Sequence, residues 1–169
     1  MKKIFTLVAL VIAFISVDAV AQDSKPLSPK ETVKGTIGSS AVEIVYCRPS
    51  ARGRKMLGEK EKFGSVWRTG ANDATSIEFS KAVKIEGKDL AAGKYALFTI
   101  PGEKEWVIIF NKNFNQMGAY EYSEAQDVLR VTVPAGKTAA FVETFRIAIE
   151  KDKVTLQWEN TAVAFNVKG

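Results

Sequence analysis

Apolar and polar positions alternate in short bursts along most of the chain. Val42, Ile44 and Tyr46 fall on one side of their segment, followed by Ile77 and Phe79 and then by Val83 and Ile85. A period of two marks half-buried strands, because successive side chains leave a strand on opposite faces. No segment shows the 3.6-residue period of an amphipathic helix. A turn over 86–89, centred on Gly87 and Lys88, leads into LAAGKYALFTI at 90–100, which ends at the turn signal Pro101 and Gly102. EWVIIF at 105–110 is its expected partner, with Trp106, Ile108 and Phe110 on one face and Val107 and Ile109 on the other. Apolar on both faces, this strand is expected to be covered on both sides.

The second half repeats the pattern. VLRVTV at 128–133, FVETFRIAIE at 141–150, VTLQWE at 154–159 and AVAFNV at 162–167 read as strands, with a hairpin turn at 151–153. Phe141, Phe145, Ile147 and Ile149 are expected to share one face, as are Val154, Leu156 and Trp158. About nine short strands separated by turn signals predict an all-β fold, an antiparallel β-sandwich with jelly-roll connectivity as one option. The alternation fails at Pro49–Gly64 (PSARGRKMLGEKEKFG), which reads as a long Arg/Gly-rich loop or one short helical turn. Long loops in compact domains are uncommon unless they carry function or are disordered.

The ends set the domain plan. Lys2 and Lys3, the apolar run from Ile4 to Val17 and the small residues Ala19, Val20 and Ala21 form a signal-peptide pattern over 1–21. The apolar run is 14 residues, short of the roughly 20 that a membrane-spanning helix needs. Residues 22–32, with Ser24, Pro26, Ser28 and Pro29, read as a flexible leader, and 33–169 as a single domain. The expectation is an exported protein, periplasmic or extracellular, with no stable membrane span after signal cleavage. Cys47 is the only cysteine, so no internal disulfide can contribute, and without any histidine it has no imidazole base to activate it.

Charge narrows the search for a site. The formal net charge is +5, or +4 once Lys2, Lys3 and Asp18 leave with the signal. The stretch Tyr46–Thr75 holds seven basic and three acidic residues, so it carries all of that excess. Four of the six arginines lie there: Arg48, Arg52, Arg54 and Arg68. A guanidinium grips carboxylate or phosphate with two parallel hydrogen bonds, which lysine cannot copy. A localised positive field on an exported chain points to an anionic small molecule or acidic glycan and away from nucleic acid. Within VWRTGAN at 66–72, Trp67 could form an aromatic wall, Arg68 a fork and Thr69 a hydroxyl donor. Gly70 and Asn72 tolerate positive φ and let backbone amides approach a ligand. The opposing reading places Trp67 in the core and treats TGAN as a turn. Tyr120 and Tyr122 in GAYEY offer stacking surfaces or, equally, edge packing.

The strings YCRPSARGRKMLG, FGSVWRTGANDAT, LAAGKYALFTIPGEKEWVIIFNKN, GAYEY and DVLRV are similar to those of the secreted bacterial family catalogued as domain of unknown function 2911. The resemblance covers nearly all of 33–133. It implies an exported β-rich domain whose characteristic residues here are Arg48, Pro49, Ser50, Arg52, Gly53, Trp67, Arg68, Thr69, Gly70, Asn72 and Thr75. A serine or glycine is usual in that family where this chain has Cys47. The resemblance supplies no activity.

Absent chemistry is informative too. Without histidine there is no Ser-His-Asp triad and no HExxH zinc site, and no metal site is expected. No GxxxxGK[ST] or GxGxxG string supports a nucleotide, so no cofactor is expected. Three readings remain. The leading one is a binding module for an anionic ligand built from Arg48, Ser50, Arg52, Trp67, Arg68, Thr69, Asn72 and Tyr120. The second is a hydrolase or lyase using the same arginines, with a carboxylate such as Glu43, Asp73, Glu121 or Glu124, or Tyr120, as acid or base. The third is a docking module for an acidic protein or lipid headgroups, with no partner named.

Overall fold

The computed structural model describes residues 26–169. The signal segment 1–21 and the start of the leader lie outside the described residues. Nine strands form one antiparallel sheet: β1 (Lys30–Ile37), β2 (Ser40–Cys47), β3 (Ser76–Phe79), β4 (Val83–Ile85), β5 (Lys88–Leu90), β6 (Gly93–Ile100), β7 (Glu105–Asn111), β8 (Asp127–Ile149) and β9 (Lys153–Lys168). Their order is β1-β2-β3-β6-β7-β8-β9-β4-β5 and the sheet is not closed into a barrel. It is a meander with one excursion, the β4-β5 hairpin, which joins the far side of β9.

The four C-terminal strand segments read from the sequence are two long strands. β8 pairs with β7 through residues 127–134 and with β9 through residues 135–149, so it belongs to both halves of the sheet. The halves face each other across a common core. Phe110 of β7 meets Phe165 of β9 edge-on at 5.7 Å, and Tyr46 of β2 meets Phe145 of β8 at the same distance. The Tyr46 hydroxyl accepts a hydrogen bond from the Ile147 amide at 2.9 Å, which ties the two halves by a polar contact as well. Register shifts on β8 between Lys137 and Arg146 turn Phe141 out to solvent, although simple alternation puts it with Phe145 and Ile147.

Turns follow their residues. Ile85 pairs with Lys88 across Glu86 and Gly87, both at positive φ, the two-residue primed turn whose twist suits a hairpin. β7 is covered on both faces as its composition requires. Trp106, Ile108 and Phe110 enter the main core, and Ile109 joins Ala74, Ala96 and Phe98 in a second cluster on the outer face. The cover over that second cluster comes from two connections, 62–75 and 112–126, and these carry the features of interest.

Candidate functional site

The basic loop after β2 is bound down along its length. Ala51 donates to the Glu143 carbonyl and Phe145 to the Pro49 carbonyl, each at 2.9 Å. The Glu159 carboxylate accepts the amides of Met56 and Leu57 at 2.8 and 2.9 Å, and both of these side chains are buried. Its arginines have internal work. Arg48 pairs with Glu31 at 2.6 Å and donates Nε to the Phe145 carbonyl. Arg52 donates to the Leu27 carbonyl at 2.7 Å, while its own amide donates to Glu143. Arg54 caps the carbonyls of Ala51 and Ser50, and the Ser50 hydroxyl bonds Thr144 at 2.8 Å. Arg48 and Arg52 thereby hold down the leader, and β1 starts at Lys30, three residues before the ordered part expected from sequence.

VWRTGAN divides between core and surface. Trp67 is buried, stacked on Trp158 at 5.6 Å and packed edge-on against Trp106 and Phe145, so it forms no wall for a ligand. Its indole N–H donates to the Gly70 carbonyl at 3.1 Å. Trp67 also exchanges both backbone hydrogen bonds with Thr99 of β6, at 2.7 and 2.9 Å. Thr69 is fully buried and sits at φ 55°, a conformation β-branched residues avoid. It is held there because its hydroxyl bonds Thr99 and its carbonyl accepts the Thr75 hydroxyl at 2.7 Å. Gly70 is required beside it, since a Cβ would lie 2.9 Å from the Cys47 carbonyl oxygen. Strain of this kind survives only where the surroundings overdetermine it, and it fixes the backbone of the preceding residue, Arg68.

Arg68 differs from the other five arginines. Arg130 is held by Asp127, Glu124 and Tyr122, and Arg146 by Gln157. Arg68 has no hydrogen bond or ion pair from its guanidinium among the described residues, although its Nε is buried. The GAYEY connection comes to it. Gly118 donates to the Asn72 carbonyl at 2.9 Å, Ala74 donates to the Gln116 carbonyl, and Asp73 bridges to Met117. At Gly118, φ is 62°, and a Cβ there would lie 3.3 Å from Arg68 Nη1 and 3.2 Å from the Tyr120 ring. Glycine thus lets the guanidinium and the exposed Tyr120 ring share one place. Asn72 is exposed at φ 60° and contributes its carbonyl to this junction.

A carboxylate lies in the same field. Burial pushes the Glu61 carboxyl up, and the charge of Arg68 opposes that shift without reaching ion-pair distance. The other acidic candidates are dispersed: Glu43 pairs with Lys34, Asp73 with Lys30 and Glu124 with Arg130. Tyr122 is structural. Burial and a hydrogen bond to Asp127 push its hydroxyl up to about 12, and Asp127 also takes bonds from Arg130 and Asn111, which anchors the end of the covering connection. No cluster of His, Cys, Asp and Glu suited to a metal occurs among the described residues.

The structure therefore brings together Arg68, Tyr120 and Asn72, adds Glu61, and sends Trp67 and Thr69 to the core and Arg48, Ser50 and Arg52 to a separate stitched loop. Sequence spacing could not find Glu61, which stands seven residues from Arg68 in a segment without periodicity.

The sequence profile of the family described as Protein of unknown function (DUF2911) matches residues 28–167, and the chain belongs to that family. No curated protein and no solved structure matches it.

Proposed function

We propose that this is an exported binding module whose recognition centre is Arg68, gripping a carboxylate or phosphate group of a small molecule beside the Tyr120 ring. The observation that carries the reading is the unpartnered guanidinium with a buried Nε, in a chain whose five other arginines are all held by internal acceptors. A buried donor without a partner is costly to leave so, and an anion supplies the missing acceptor. The strained Thr69 and the tight Gly70 keep the fork in place before the ligand arrives, which lowers the ordering cost of binding. Tyr120, 86% exposed, offers its ring to the ligand's carbon skeleton.

A hydrolase or lyase is the second reading, favoured by Glu61. A carboxyl pushed up by burial, in the field of an anion-holding arginine, has the character of a general acid.

The test is a thermal-shift and calorimetric screen of the protein against carboxylates, phosphates and acidic sugars, repeated with Arg68→Ala and Arg48→Ala. A ligand at about 100 times its Kd stabilises by about 2.7 kcal/mol. Arg68→Ala is expected to abolish the shift and Arg48→Ala to keep it. Equal shifts in the two variants, or no shift with any anion, reject the reading. Release of a product from any bound anion, lost in Glu61→Gln, selects the enzyme.

A further inference from the structure

A cavity of about 340 Å³ opens at the same junction, and its lining does not include Arg68. Its floor is the outer face of β2, β3 and β6, which presents Val45, Cys47, Ser76 and Lys94, and the segment Phe114–Met117 covers it. The size is at the lower end of the range for small-molecule sites, about 300–1,000 Å³.

Two groups in its wall have no hydrogen-bond or ion-pair partner among the described residues, and they ask for different things. Gln116 is only 7% exposed and its Oε1 is buried with no hydrogen-bond donor among the described residues. The side-chain orientation is fixed, because Nε2 donates to the Asn113 carbonyl at 2.6 Å and a flipped amide would set oxygen against oxygen. The free end is an acceptor that needs an O–H or N–H. Lys94 needs the reverse. Its ammonium stands 5.6 Å from the centroid of the Phe114 ring, and it has no carboxylate at ion-pair distance among the described residues. Lys30 at the rim is already paired with Asp73 at 3.4 Å. A simple anion answers Lys94 alone, and a neutral sugar answers Gln116 alone.

We infer that this cavity is a second binding site, for a small hydroxylated carboxylate of monosaccharide size. A hydroxyl donates to Gln116 Oε1, the carboxylate faces Lys94, and Phe114 and Met117, 43% and 68% exposed, cover the carbon skeleton. Both a cyclic sugar acid and an open-chain hydroxy acid have this chemistry.

Titration of the protein with glucuronate, gluconate, glucose, hexanoate and glutamate tests the site by NMR and by protection of Cys47, a residue of the cavity lining. Glucuronate or gluconate is expected to move the Gln116 side-chain amide resonances and to slow alkylation of Cys47. Which of the two does so identifies a cyclic or an open-chain ligand. Lys94→Met and Gln116→Met are each expected to weaken binding about tenfold or more, as loss of a buried polar contact does. Arg68→Ala leaves this binding unchanged, so failure here and failure of the Arg68 reading are separate results. The inference is overturned if neither acid gives either signal, if glucose, hexanoate or glutamate binds as well, or if Lys94→Met binds like the unaltered protein. Should Gln116→Met not fold, the titrations and Lys94→Met decide alone.

Discussion

Two regions of this molecule use arginine in opposite ways. In the loop after β2, Arg48, Arg52 and Arg54 spend their donors on Glu31 and on the carbonyls of Phe145, Leu27, Ala51 and Ser50. At the junction of 66–75 with 112–122, Arg68 makes no such bond among the described residues, although the backbone beside it is fixed by the bonds of Thr69 and Thr75. Density of charge therefore marks the first region and unsatisfied charge the second. Partnered surface charges contribute little and are common, whereas a buried unpaired donor is rare and calls for an explanation.

The comparison can be broken most forcefully at Trp67. If it belongs to the core, as its stacking on Trp158 indicates, Trp67→Ala should lose about 3–5 kcal/mol in denaturant unfolding. A loss below about 1 kcal/mol would return it to the surface role that its neighbours in sequence suggested. Next in size is Glu159→Ala, which strips the acceptor from two backbone amides of the basic loop. It should cost about 1–3 kcal/mol and leave anion binding at Arg68 unchanged, measured by unfolding and calorimetry on the same variant. Weakened anion binding without loss of stability would make the stitched loop part of the site.

Gly118→Ala probes the second region. A methyl group there meets Arg68 Nη1 and the Tyr120 ring at a positive-φ position, so stability should fall by about 1 kcal/mol and anion affinity with it. Unchanged affinity would show that the guanidinium is not held at that spot.

The smallest effect has the opposite sign. Because the folded-state pKa of Glu61 is raised, its ionisation opposes folding above that pKa, and the cost disappears as pH falls through it. Glu61→Gln should therefore be slightly more stable than the native chain at neutral pH and equal to it in acid. The same substitution removes a negative charge near Arg68, so anion binding should tighten and lose its gain on acidification. Loss of stability at neutral pH would mean that Glu61 is a paired carboxylate.

Much of the fold was legible in the chain. The period-two segments at 42–46, 77–79 and 83–85 and the apolar runs at 93–100 and 105–110 are strands, and Pro101-Gly102 and 151–153 fall at turns, because these depend on local patterning; the turn expected at 86–89 is shorter, Glu86-Gly87, with Lys88 and Asp89 already in β5 and paired with β4. The joining of 128–133 with 141–150 into one strand was not legible, since the bulges that carry β8 from one half of the sheet to the other depend on its partner strands. At the candidate site, Arg68, Asn72 and Tyr120 were named from their residue types. Glu61 and Gln116 were not named as site residues, because nothing in a lone glutamate or glutamine announces which distant segment will enclose it.

The sequence by itself determined an all-β domain with four of its six arginines collected between β2 and β3, since alternation, turn residues and charge are local properties of the chain. Only the tertiary structure decided which arginine is free. That choice rests on whether a carbonyl or carboxylate from a distant strand arrives within hydrogen-bond reach. Glu31, Phe145 and Leu27 arrive at Arg48 and Arg52, and among the described residues no acceptor arrives at Arg68.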